Sequence, residues 1–100
     1  MTRRQFFTYI GGSFEEDEGA PQPPASAIRL TQAELGARVL IVALRYAQQG
    51  KQLEREGIYV GAEVQLISRA REGSVIIETE CKTVGLGEGI AKTIYVGVLY

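Results

Sequence analysis

The chain has 100 residues, 45% of them hydrophobic, with a formal net charge of -1 and a pI of about 5.5. That is enough for one modest core and too short for two. The near-neutral balance argues against nucleic acid as a partner, because phosphate contacts require clustered Lys and Arg. Arg69 and Arg71 sit among Glu63, Glu72 and Glu78 and read as a mixed, solvated face. There is no histidine, which removes the commonest general base and the commonest transition-metal ligand together. Ser-His and Cys-His nucleophile pairs are thereby excluded; catalysis through carboxylates or lysine stays open, and the expectation is no enzyme, with no catalytic residue, no metal and no cofactor. The single cysteine, Cys81, has no partner within the chain and reads as a packed or edge thiol.

Residues 1–27 differ from all that follows. MTRRQFFTYIGGSF leads into the acidic run Glu15 to Glu18 and then into GAPQPPASA, which holds all three prolines. Thr2 to Phe7 imitates a twin-arginine export signal, but the apolar stretch behind it is broken by Gly11, Gly12 and Ser13. An export signal needs an uninterrupted apolar run of about 7–15 residues. A cytoplasmic protein with a flexible acidic, Pro-rich leader is the expectation. The competing reading makes FFTYIGGSF a docking segment, as an extra strand or a partner contact, because Phe6, Phe7, Tyr9, Ile10 and Phe14 are unusually apolar for a leader.

The folded part is expected over residues 28–100. Thr31 and Glu34 fit a capping box around one helical turn that ends at Leu35-Gly36. Ala37 to Arg45 is rich in β-branched residues and apolar on both alternate faces, which predicts a strand buried on both sides. Tyr46 to Glu56 switches to helix formers, with Gly57 where a helix stops in a left-handed conformation. Ile58 to Gly61 predicts a turn. Ala62 to Arg69 then alternates with Val64 and Leu66 on one face; Glu72-Gly73 turns a hairpin, and Ser74 to Thr79 returns with Val75 and Ile77 inward. Cys81 to Val84 and Ile94 to Leu99 complete about five short strands, a number and spacing that suit a small closed barrel.

GLGEGIAKTI, Gly85 to Ile94, looks at first like a phosphate-binding loop. In a Walker loop ending at Lys92-Thr93, Leu86 and Ala91 would occupy the glycine positions, and in a dinucleotide fingerprint Ile90 would occupy the third. No room is left for the helix that either site needs. Leu86, Ile90 and Ile94 are spaced by four instead, which plants three apolar side chains on one side of a helical turn before the last strand. Lys92 and Thr93 then read as surface.

In order along the chain stand Leu30, Leu35 and Gly36; Leu53, Gly57, Ile58, Gly61 and Val64; Gly73; and Leu86, Gly87, Ile90, Ala91, Ile94 and Val96. This series resembles the FeoA domain family, from about Leu30 to Val96. The resemblance implies a mainly β fold: a small SH3-like β-barrel with one short surface helix. It also implies work by protein contact in ferrous iron transport, with the cytoplasmic part of a FeoB-type membrane transporter as partner. Because a similar domain forms the C-terminal barrel of some iron-dependent repressors, a regulatory barrel acting on such a repressor is the alternative. The expected partner-binding patch is the surface helix and its flanks, Arg45, Tyr46, Lys51, Leu53 and Arg55, set against a reading in which Leu53 packs inward and the helix is a solvated lid. The apolar end Val98-Leu99-Tyr100 is suited to pairing across a homo-oligomer.

Overall fold

Alternating apolar residues set the architecture. A computed structural model describes residues 7–11, 22–45, 50–80 and 82–99. In chain order come β1 (Phe7–Ile10), β2 (Ile28–Arg29), a 3₁₀ turn (Leu30–Gln32), β3 (Arg38–Leu44) and α1 (Gly50–Arg55). Then follow β4 (Glu63–Arg69), β5 (Val75–Glu78), β6 (Thr83–Leu86), α2 (Glu88–Ala91) and β7 (Ile94–Val98). The strands form one sheet in the order β1-β6-β5-β4-β3-β7-β2. Every neighbouring pair is antiparallel except β1 and β6, which run parallel.

The sheet wraps one apolar cluster to which both of its ends contribute, Ile10 from β1 and Leu30 beside β2. Val39 and Ile41 of β3, Val64 and Leu66 of β4, and Val75 and Ile77 of β5 point inward, as period-2 patterning requires. Leu86, Ile90 and Ile94 are fully buried together with Leu53 and Ile58, so the four-residue rhythm does close one end of the core.

The mainly β fold agrees with the sequence reading, and several details differ. Seven strands are present rather than about five. The sheet does not close, because no pairing joins β1 to β2 among the described residues. Closure is one way to remove free edges, and here two short strands do part of that work: β1 covers β6, and two-residue β2 covers β7. Arg29 reinforces the second junction, its guanidinium standing 5.1 Å from the centroid of the Tyr95 ring and donating to the Lys92 carbonyl.

Of the two readings of the N-terminal segment, Phe7–Ile10 take the extra strand, which corrects the expectation of a leader throughout residues 1–27. The acidic run and Cys81 lie outside the described residues. The strand expected at Cys81 to Val84 begins two residues later, because Thr79 and Lys82 close a turn first. The Thr79 N–H donates to the Lys82 carbonyl at 2.8 Å. The 3₁₀ turn is capped differently as well: the Arg29 N–H donates to Gln32 Oε1 at 3.0 Å, so Thr31 and Glu34 do not form the box. Arg69, expected merely to be solvated, donates to the Thr31 and Ala33 carbonyls at 3.1 and 2.7 Å. Thr93 is buried rather than on the surface, and its hydroxyl donates to the Ile90 carbonyl at 2.7 Å.

Gly85 has a steric reason to lack a side chain. A Cβ there would stand 2.8 Å from Tyr9 Cδ1 and 3.0 Å from Phe7 Cζ, so the two rings of β1 lie over the β6 backbone. Gly85→Ala is expected to cost about 1–3 kcal/mol by overpacking, read by urea unfolding, with amide exchange at Thr8 to Ile10 accelerating most. At the β4–β5 hairpin, the Ser74 hydroxyl donates to Glu72 Oε1 at 2.6 Å. That bond, and second an N–H of the Glu72 backbone, hold the Glu72 carboxyl below the usual range. The contribution to stability is therefore present above the unfolded-state value and lost as pH falls through the folded one. Ser74→Ala should return Glu72 toward ordinary titration, as followed by NMR.

Candidate partner-binding groove

The short helix α1 is held by how it ends. Gly57 adopts φ +89°, the left-handed conformation that costs L-residues about 1–2 kcal/mol. The Gly57 N–H donates to the Glu54 carbonyl at 3.1 Å and the Ile58 N–H to the Leu53 carbonyl at 2.9 Å. This pair of bonds is the Schellman motif, and its usual apolar partners, Leu53 and Ile58, are both fully buried. A Cβ on Gly57 would meet Thr79 Cβ at 3.3 Å, so the loop after β5 packs against the helix end. Lys82 Nζ pairs with Glu56 Oε1 at 2.6 Å across the same junction.

This construction leaves a groove of about 730 Å³. One wall is the end of α1, Glu54 to Gly57; Tyr59 and Glu63 lie along the turn into β4, and Glu80 and Lys82 along the loop after β5. Arg38, Gln65 and Glu78 face each other across three strands in register, and all three line the groove. Five carboxylates (Glu54, Glu56, Glu63, Glu78, Glu80) face three cations (Arg38, Arg55, Lys82). Glu56 and Lys82 neutralise one another, and Tyr59, 46% exposed, supplies an aromatic contact. Among the described residues, no group of three or more His, Cys, Asp or Glu could hold a metal ion. The chemistry on offer is recognition: carboxylates and guanidinium groups around an aromatic ring, suited to a charged protein surface.

The expected patch is only partly assembled. Arg55 is exposed and lines the groove. Leu53 packs inward, as one of the two readings had it, and so anchors the helix instead of offering apolar surface. Arg45 is 8% exposed, its N–H donating to the Thr93 carbonyl at 2.9 Å. Tyr46 and the Lys51 side chain lie outside the described residues. Arg38, Glu78 and Glu80 were missed. Strand alternation does place Glu63 and Gln65 outward, but the row from Arg38 to Glu78 exists only once register is fixed. Leu53→Ala is expected to cost about 2–5 kcal/mol in chemical denaturation, whereas Arg55→Glu should leave the unfolding midpoint nearly unchanged.

A single open β-sheet around one core, with a charged groove over its middle strands, defines a small β domain. A sequence model of the FeoA domain matches residues 28–98, and the chain belongs to the FeoA domain family. The family ties the chain to accessory work in ferrous iron transport. Among solved structures, an iron uptake regulatory protein, FeoA, is similar at 23% identity and TM-score 0.67, over 73% of this chain and 99% of that one. A FeoA-like protein from Clostridium acetobutylicum is similar at 22% identity and TM-score 0.62, over 76% and 91%. A manganese-dependent transcriptional repressor is similar at 23% identity and TM-score 0.67, over 79% of this chain but 44% of the repressor. At these identities the structures share the fold. No curated protein matches the chain.

Proposed function

We propose that the chain is a cytoplasmic accessory protein of ferrous iron transport that acts by contact with the cytoplasmic part of a FeoB-type transporter. Membership of the FeoA domain family is the observation that carries this reading. The groove supports it, because its residues suit a protein surface and supply no catalytic pair. Arg55 and Arg38 form the cationic side of the contact, Glu63 and Glu78 the anionic side, and Tyr59 the anchor. Leu53 contributes by anchoring the helix that carries Arg55. Contact made by such charges weakens as salt rises. No helix among the described residues is long and apolar enough to cross a membrane, so the partner supplies the membrane.

Fluorescence anisotropy of the labelled chain against the transporter's purified cytoplasmic part tests this. Saturable binding is expected, weakened about tenfold or more by combining Arg38→Glu with Arg55→Glu, a loss of at least about 1.4 kcal/mol. Absence of binding across salt and nucleotide states contradicts the proposal. The similarity to a manganese-dependent transcriptional repressor and to T. acidophilum IdeR supports a second reading as a regulatory domain acting on a repressor. Cross-linking mass spectrometry in cells separates the two: a membrane transporter is expected, and a partner bearing a DNA-binding domain favours the alternative.

A further inference from the structure

The free edge of β6 is a place where any extended segment can add a strand. In this chain it is filled by Phe7–Ile10, in register Phe7 to Thr83, Thr8 to Val84, Tyr9 to Gly85 and Ile10 to Leu86. Each part of the fit has a chemical counterpart. Ile10 is 4% exposed and is the one residue that β1 adds to the described core. The Gly87 N–H donates to the Ile10 carbonyl at 2.8 Å, fixing where the segment stops. Phe7 and Tyr9 lie over Gly85, where no side chain blocks them, yet they remain 54% and 60% exposed. The segment at this edge thus presents two aromatic rings on alternate residues, Phe7 and Tyr9, followed by the aliphatic Ile10.

The segment is attached to the domain without being part of the family's domain. The family match begins at residue 28, and a solved FeoA that aligns over 99% of its own length covers 73% of this chain. β1 stands at one end of the strand order and β2 at the other, with β1 held through one four-residue parallel pairing. We infer that the β6 edge is a strand-acceptor site and that Phe7–Ile10 are a separable ligand for it. The site takes the same segment from a second copy of the chain whenever its own is displaced. The copy of the segment in cis has the advantage of tethering, which sets an effective concentration on the order of millimolar.

The test uses the full-length chain. Ile10→Asp places a carboxylate where a buried aliphatic side chain belongs, which expels the chain's own segment. A fluorescein-labelled peptide, QFFTYIGG (residues 5–12), stands for the second copy and is titrated into wild type and variant. Saturable binding to I10D is expected, at least tenfold tighter than to wild type. It should be lost when the peptide carries the same Ile→Asp change, and lost again when Gly85→Val fills the space beneath the rings. Amide-exchange protection in β3 and β4 verifies that the variant is folded. If it is not, the double variant Phe7→Ser/Tyr9→Ser replaces it. Equal affinity for wild type and variant, or no saturable binding to a folded, displaced chain, overturns the inference. So does failure of both variants to fold, because the strand would then be integral to the domain.

Discussion

The structure of the groove depends on the burial of Leu53 and on the left-handed glycine that makes it possible. A six-residue helix has too few internal hydrogen bonds to persist alone. It is stable here because Gly57 lets the chain reverse at once, so that Leu53 and Ile58 enter the core together. That single arrangement sets the direction of Arg55, brings Glu56 to Lys82, and lays Gly57 against Thr79. The ion pair itself is partly buried and adds about 1 kcal/mol at most by the usual measure of such pairs. Apolar burial decides the geometry, and the charges inherit it.

Local signals in the sequence carried much of this. Val64 with Leu66 and Val75 with Ile77 alternate cleanly, so β4 and β5 were legible, and Gly57 marked the end of α1. Leu86, Ile90 and Ile94 announced the turn before β7 by spacing alone. What was not legible depends on contacts distant in sequence. The row Arg38, Gln65, Glu78 joins three strands, and a shift of one residue in any pairing would disperse it. β1 pairs with residues more than seventy positions away, and its four residues show no signal stronger than their apolarity. Closure was over-read because apolar strands need covered edges, and short added strands meet that need as well as a ring does.

The glycines of Gly85 to Gly89 unite these observations. Gly85 admits two aromatic rings, and the Gly87 N–H ends the pairing with β1. One end of the sheet is thus dedicated to a strand of the chain's own, while the groove beside α1 lies at its middle strands, β3 to β5. Two surfaces of different chemistry, one a backbone edge with an apolar anchor and one a charged groove, sit on a domain with no histidine.

Hydrogen–deuterium exchange of the full-length chain, with and without the transporter's cytoplasmic part, addresses the central claim most directly. The account predicts new protection confined to Glu54–Tyr59, Glu63–Gln65 and Glu78–Lys82, the segments around the groove. Protection restricted to the β2–β7 side, or none under conditions in which the two proteins associate, would contradict it.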